Sequence, residues 1–500
     1  MHKIILTKEE MVLVEKHTMT SKKITSFDLM HQAATACFNK IKTLNLIDKN
    51  TKVLVVAGSG HNGGDAILLA HLMARYVNKV TVYLTDALDK YQGDTKEALL
   101  LLKNVNIMPQ VLDPSHVDDF ILDLNVYHLL IDGIYGTGFR KPLSSDSALI
   151  ISLINQSSID VVALDIPSGI MANSGIADQA IIAKHTLAIG YFKPGHYLWD
   201  AKDFCGELHC IDIGLLKPNL TNQKHLLETS FFKQMIPKRK HNTHKYHYGN
   251  LVVVGGSVGM MGAPYLSAHA AYRTGCGLVR MLLTKETYPH RYHLMPELMY
   301  LIFDETSDIN KLLIKKTGVA FGMGLDDHKI YLKLLKSIMI NQIPVVIDAG
   351  GLTHLKNLLP ELSIEHPVVI TPHIKELSDL LSVDIQKIKE DPIKTVENFA
   401  ATHHIVTILK GPTTIITDGK QTYLLPFGNP GLAKAGSGDV LSGIIGALLA
   451  QNMHALEASL LGVYILGSAA NITRAHFGED AMMASDVISH IKDVLITLKE

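Results

Sequence analysis

Apolar and polar residues alternate along this chain in two long series of strands and helices, parted by a stretch that breaks the rhythm. The first series starts at Thr51 and reads as a strand over 53–57, a glycine loop over 58–64, a helix over 65–77 and a strand over 79–84, one right-handed strand-helix-strand unit. Apolar runs at 129–131, 161–166 and 185–189 follow, spaced by helical or loop segments, which predicts a mostly parallel sheet covered on both faces. Ahead of them, residues 8–47 read as two helices. From about 215 to 250 the alternation stops, and a basic, His-rich run over 237–247 marks a domain boundary. A second alternation then places strands at 251–254, 278–283, 319–322, 345–348 and 368–371. It closes differently: 405–409, 414–417 and 421–425 lie as near one another as hairpin strands do, ahead of a glycine loop over 429–438 and a long helix. The prediction is an α/β protein with a three-layer domain over 1–220, a linker over 221–248 and a second α/β domain over 249–500.

Composition agrees with two domains, since 500 residues exceed what one hydrophobic core supports. With 47% apolar and 19% charged residues, the chain has material for buried sheets and little for disorder. Lys and Arg number 47 against 48 Asp and Glu, which leaves no chain-wide attraction for nucleic acid or an anionic membrane. The four cysteines, Cys37, Cys205, Cys210 and Cys276, are too scattered for a disulfide framework. That scatter, and a first segment without the apolar core of a secretion signal, point to a cytoplasmic protein. The most apolar stretch, 440–450, is about half a membrane span and reads as a buried helix.

Candidate chemistry sits in the glycine loops. In the second half, Ala435-Gly436-Ser437-Gly438-Asp439 opens an apolar helix, a turn that aims backbone N–H groups at an anion with the helix dipole behind them. Asp439 could equally be a mere helix cap. However, Lys410-Gly411-Pro412-Thr413-Thr414 follows an apolar strand and offers a second polar turn. Together the two loops resemble the ribokinase-like superfamily, whose Gly-x-Gly-Asp loop forms an anion hole for the transferred phosphoryl group while its Asp takes the proton of the attacking hydroxyl.

Upstream strings narrow the resemblance. His244-Lys245, Tyr248-Gly249-Asn250, Gly255-Gly256-Ser257, Gly262-Ala263-Pro264, Gly322-Met323-Gly324, Asp348-Ala349-Gly350-Gly351 and Thr371-Pro372-His373 look like the ADP/ATP-dependent NAD(P)H-hydrate dehydratases, over about 238 to the C-terminus. The resemblance implies a hydrate substrate near Ala263, Gly324, His373 and Asp439. It implies nucleotide near Lys410, Gly411, Pro412, Thr413, Thr414 and Gly438. Asp439 would be the general base, with ADP or ATP as co-substrate together with Mg2+; the fused architecture favours ADP by analogy.

In the first half, Gly58-Ser59-Gly60-His61-Asn62-Gly63-Gly64-Asp65 matches G-x-G-x-x-G between a strand and a helix, the setting of a Rossmann-like dinucleotide loop. Alone the match is weak, and a plain structural turn competes with it. Two further strings, 132–143 and 162–169, each follow a strand, where open parallel sheets place their sites. The three strings resemble NAD(P)H-hydrate epimerases over about 8–215, although the family has Asn where His61 stands. The resemblance implies substrate contacts from His61, Asn62, Gly63, Gly64, Asp65 and Asp165. It implies a phosphate-binding segment of Gly136, Thr137, Gly138, Phe139, Arg140, Lys141 and Pro142. Potassium would be held by Asn62, Asp132 and Ser168, a sensible set because hard cations prefer oxygen donors. Asp165 and Lys193 would share acid/base duty; Lys193 also reads as an ordinary loop lysine.

Two patterns are discounted as metal sites: His241, His244 and His247 recur among Lys and Tyr in the expected linker, and Cys205 and Cys210 lack paired zinc-site spacing. The expectation is a bifunctional metabolite-repair enzyme acting on the NADH and NADPH hydrates, with ADP as its other small-molecule partner, no nucleic-acid or membrane partner, and homo-oligomerisation left open. The competing reading is a ribokinase-like small-molecule kinase with a non-catalytic N-terminal binding domain.

Overall fold

The computed structural model describes residues 2–500 except 221, 222, 237, 292–294, 362 and 363. Thr221, Asn222 and Pro237, in the segment expected as a linker, lie outside the described residues. The chain divides into two compact units, Ile4–Gln223 and Lys224–Glu500, the latter joined by residues 2 and 3.

The first unit is built on one fully parallel sheet. Its order is Gln110–Val111, Lys79–Leu84, Lys52–Ala57, Leu129–Gly133, Asp160–Leu164, His185–Ile189, Glu207–Ile211. The order reverses between Lys52–Ala57 and Leu129–Gly133, so the loops leaving those two strands flank a crevice. Before the sheet come the helices Lys8–Lys22 and Ser26–Thr43, each opened by a capping box, Thr7 with Glu10 and Thr25 with Asp28. The helix expected from 65 starts four residues earlier, as His61–Met73. Gly63 therefore lies in its first turn, where an added Cβ would sit 1.7 Å from the carbonyl oxygen of Gly58, an approach only glycine allows. The apolar run at 161–166 is strand only to Leu164, because Asp165 turns into the left-handed region at φ 60°.

In the second unit the parallel strands run Met299–Phe303, Leu278–Thr284, Asn250–Val254, Gly318–Phe321, Val345–Ile347, Val368–Ile370, Val406–Leu409. The hairpin Thr414–Thr417 and Thr422–Leu425 extends the sheet antiparallel. Again the order reverses, between Asn250–Val254 and Gly318–Phe321. Much of the segment expected as a linker folds into this unit: Lys224–Leu227 pairs parallel with Thr422–Leu425, and in the helix Thr229–Phe232 the Phe232 ring stacks on Tyr464 with 4.1 Å between centroids. Two polar residues, Lys224 and His225, open that strand, so no apolar run announces it.

The helix Ser437–Ala450 is buried from Val440 onward, as its composition predicted. It packs against Gly262–Arg273 and against Ala455–Ala481, which is broken at Gly478. Ala455–Ala481 has the length and apolarity to cross a membrane, but most of its apolar stretch is buried inside this unit, as in a core helix. The tightest contact is at Gly443, whose added Cβ would lie 2.1 Å from the backbone oxygen of Ser267. Gly443→Ala is expected to cost about 1–3 kcal/mol through overpacking. At Gly446 the nearest neighbours are the side chains of Ala320 and Leu251, 3.1 and 3.2 Å away, and Gly446→Ala should cost less; thermal denaturation of the two variants checks the order.

Candidate active sites

In the first unit the crevice widens into a cavity of about 760 Å3. Of the residues the sequence nominates, His61, Asn62, Asp65, Gly136, Thr137, Gly138, Phe139, Arg140, Pro142, Asp165 and Lys193 line it. Gly63 and Gly64 are buried in the helix start instead, and Lys141 is drawn aside into an ion pair with Asp178 at 2.5 Å. One end of the cavity is strongly polar. The Lys193 ammonium, 1% exposed, forms a short ion pair with the Asp165 carboxylate and donates to the Ile189 carbonyl at 2.8 Å. His196, absent from the sequence reading, locks both residues: its Nδ1 accepts from the Lys193 N–H at 2.9 Å and its Nε2 meets the Asp165 carbonyl oxygen at 2.7 Å. Burial, with the Lys193 charge beside it, pushes His196 down to about 4, so the ring is neutral.

Two further acids face the same space. Burial, Asp165 and Glu15 push the Asp65 carboxyl well above its usual range, and burial followed by Asp165 raises Glu15. Glu15 was not foreseen. Its signal is an acid between Met11 and Met19, at four-residue spacing along one face of Lys8–Lys22.

The proposed oxygen ligands meet around the backbone of Tyr135. Asn62 Nδ2 donates to the Tyr135 carbonyl at 2.8 Å, and the Tyr135 N–H donates to Ser168 Oγ at 2.8 Å. The buried Asp132 carboxylate accepts from Ser168 Oγ at 2.6 Å and from the Ser168 N–H at 2.8 Å. Burial pushes Asp132 up to about 6 despite these hydrogen bonds. Asn62 Oδ1 is buried without a hydrogen-bond partner among the described residues.

In the second unit, Asp439 is the third residue of Ser437–Ala450, entered through Gly436 at φ 98°. Burial, then the nearby Asp348 charge, push Asp439 up to about 7, with Lys410 pulling the other way. Asp348 is the hub. Its Oδ1 meets Lys410 Nζ at 2.9 Å and its Oδ2 accepts from Ser442 Oγ at 2.9 Å. Burial opposes ionisation there, but Lys410 and Ser442 hold the Asp348 carboxyl below its usual range. Gly438 rests on this pair, since an added Cβ would stand 3.3 Å from both Asp348 Oδ2 and Lys410 Nζ.

His373 caps the helix Ile374–Leu381, its Nδ1 accepting from the N–H groups of Lys375 and Glu376. The Lys410 N–H donates to the Pro372 carbonyl at 2.9 Å, and Glu376 stands 3.7 Å from Lys410 Nζ, so the His373 and Lys410 loops adjoin. At the reversal point, an added Cβ on Gly324 would lie 3.3 Å from that of Ala263. Thr413 Oγ1 is buried with no hydrogen-bond partner among the described residues. Ala349, just past Asp348, holds φ 47° and ψ −126°, a strained pose for a residue with a Cβ.

The four cysteines are unbridged, Cys205 buried and Cys210 exposed. His241, His244 and His247 are exposed, and among the described residues they form no ligand cluster.

Two family models match the chain: NAD(P)H-hydrate dehydratase over 251–493 and YjeF-related protein N-terminus over 26–195. The chain is 33% identical over 476 residues to the bifunctional NAD(P)H-hydrate repair enzyme Nnr of Coxiella burnetii, covering 94% of this chain and 95% of that one. It is 32% identical over 470 residues to the protein of the same name from Moorella thermoacetica, covering 90% and 88%. Among solved structures, a ribokinase-like superfamily protein from Enterococcus faecalis V583 matches with a TM-score of 0.50 and 22% identity, over 55% of this chain and 97% of that one. The ribokinase-like fold expected of the second unit is borne out.

Proposed function

The chain belongs to the bifunctional NAD(P)H-hydrate repair enzymes, and from that premise we infer that its first unit interconverts the R and S hydrates of NADH and NADPH while its second returns the S hydrate to NAD(P)H at the expense of ADP or ATP. The observation that carries the second activity is Asp439, a carboxylate at a helix start beside Lys410 with its pKa near neutrality.

Hydroxide is a poor leaving group, so the hydrate's hydroxyl must first be converted into a better one. Asp439 takes the hydroxyl proton as the oxygen attacks the terminal phosphorus of the nucleotide. The N–H groups at the start of Ser437–Ala450 and the Lys410 ammonium stabilise the charge that develops. Phosphate then leaves with the C–O electron pair as a proton is lost from the adjoining ring carbon, which restores the dihydronicotinamide.

The nucleotide lies along Lys410, Gly411, Pro412, Thr413, Thr414 and Gly438, a reading supported by the Thr413 hydroxyl, which has no partner among the described residues; Mg2+ bound to its phosphates would offset their negative charge. Ala263, Gly324 and His373 hold the hydrate, in keeping with the position of Ala263 and Gly324 at the strand-order reversal. Because Asp439 must be ionised to act and titrates near about 7, kcat/KM for dehydration is expected to rise with pH up to about 7 and level off above it. Initial rates across that range check this; a flat profile counts against Asp439 as base.

In the first unit, inverting the hydroxyl-bearing carbon requires opening and reclosing at that centre, with Lys193 as proton donor and Asp165 as acceptor. Gly136, Thr137, Gly138, Phe139, Arg140 and Pro142 take the phosphate groups, with Lys141 on the outer side, and His61 and Asp65 contact substrate. The donors at Asn62, Asp132 and Ser168 fit potassium: among the described residues Asn62 Oδ1 lacks a hydrogen-bond partner and the buried Asp132 lacks a countercharge. Those residues would hold the ion, which supplies positive charge beside the phosphate segment. Replacing K+ in the buffer by a bulky organic cation is expected to lower the thermal midpoint of the wild type but not of Asn62→Leu. The unbridged cysteines suit a cytoplasmic setting.

Hydrated NADPH mixed with the protein and ADP, then ATP, tests the whole reading. Recovery of NADPH absorbance from both epimers is expected. A stable phosphorylated product without that absorbance, or recovery of the S epimer alone, would overturn one half or the other.

A further inference from the structure

The first unit carries a second group of chemically competent side chains that the repair reaction does not use. His185 opens the strand His185–Ile189, and its sheet partner is Glu207; two residues on, Leu187 pairs with His209. Side chains two apart on a strand share a face, so His185, Glu207 and His209 project together from the last two strands of the sheet. Lys193 follows the other end of His185–Ile189, so the group is separate from the epimerisation site.

Its dimensions are those of a metal's ligand shell. His185 Nδ1 and His209 Nε2 are 3.2 Å apart, and Glu207 oxygens stand 3.5 Å from the first and 3.6 Å from the second. Nitrogen and oxygen ligands about 2.0–2.2 Å from a tetrahedral zinc ion stand roughly 3.3–3.5 Å from one another. A hydrogen-bond ladder accounts for the two imidazoles sharing a proton, but not for Glu207, which is too far for a good bond to either ring yet leans over both although 65% of its side chain is exposed. The imidazoles are nearly buried, 11% and 8% exposed. Burial, then Lys40, hold His209 below its ordinary value. Lys40 is the charged neighbour that works against a cation, and Glu207 offsets it.

We propose that His185, Glu207 and His209 bind a divalent transition ion of the zinc class, with water at the fourth position, as a clip that ties the edge strand Glu207–Ile211 to its neighbour. Three ligands of this kind with an open position suit zinc or cobalt better than a hard cation such as magnesium.

The test uses full-length, metal-stripped protein titrated with ZnCl2 by calorimetry and with CoCl2 by visible absorption. One tight zinc equivalent is expected in the wild type, with the ligand-field bands of tetrahedral cobalt. It should disappear in His185→Gln/His209→Gln and weaken in Glu207→Gln by at least the roughly 10- to 100-fold that loss of an outer-sphere partner costs. With 26 histidines in the chain, weaker binding elsewhere is removed by difference between wild type and variant. Glu207→Gln alters an exposed carboxylate and should leave epimer exchange unchanged, which shows the unit still folded. Equal zinc stoichiometry and affinity in wild type and both variants, or no tight equivalent in the wild type, would overturn the proposal.

Discussion

Asp439→Asn is expected to lower kcat for hydrate dehydration by about 10²–10⁴-fold, the contribution of a positioned general base. The substitution keeps size and removes only the proton acceptor, so nucleotide affinity should change little. Epimer exchange, supported by residues of the first unit alone, should continue at the wild-type rate. Stability should hold or rise slightly, because a carboxyl pushed up to about 7 by burial and by Asp348 is already costly to ionise. Neutral Asn removes that repulsion while Asp348 keeps Lys410 and Ser442. Single-turnover mixing with excess enzyme separates the steps. If Asp439→Asn dehydrates at the normal rate, the base is some other group and the phosphorylation mechanism must be redrawn.

The second large effect concerns the Asp165–Lys193 pair. Lys193→Ala should reduce epimer exchange by about 10²–10⁴-fold and also destabilise the first unit, since it leaves the partly buried Asp165 carboxylate without its cation; a fully buried pair would cost roughly 3–5 kcal/mol to break, and this one, open to the cavity, should cost less. Asp165→Asn should be nearly as damaging to exchange. The two effects can be told apart in Asp165→Asn/Lys193→Met. With both charges gone the stability loss should be smaller than in Lys193→Ala, whereas activity should not return. Exchange measured by chromatography of the two epimers, beside chemical denaturation, gives both quantities. Recovery of exchange in the double variant would show the pair to be structural only.

What was legible from the sequence has a common physical origin. Glycine turns after strands, and the acids and lysines beside them, are local strings, and Asn62, Asp165, Lys410 and Asp439 all stand in such strings. The parallel strands around the two reversal points were legible because they are buried on both faces and read as unbroken apolar runs. Residues that act through distant partners were not. Lys410 and Ser442 reach Asp348 across 62 and 94 positions, and no spacing rule links them. Glu15 becomes part of a site only because Lys8–Lys22 lays it on the cavity, and His196 only because its ring bridges Lys193 and the Asp165 backbone. Met299–Phe303, absent from the expected strands, is buried only at Phe303, so it lacks the two-sided burial that marks the others. Lys224–Leu227 lacks an apolar start, so a strand was read as part of a linker.

The left-handed turn at Asp165 limits how this enzyme can change over generations. Only Gly, Asn and Asp enter that backbone region at little cost. Asn and Gly each lie one nucleotide away from an Asp codon, so a lineage can shed the carboxylate in one step without disturbing the turn. Other single-nucleotide replacements lose the carboxylate or shift it, and strain the chain as well. A descendant that has given up epimerisation while keeping dehydration should therefore carry Asn or Gly at this position more often than Ala or Val, a scar by which the lost activity could be recognised.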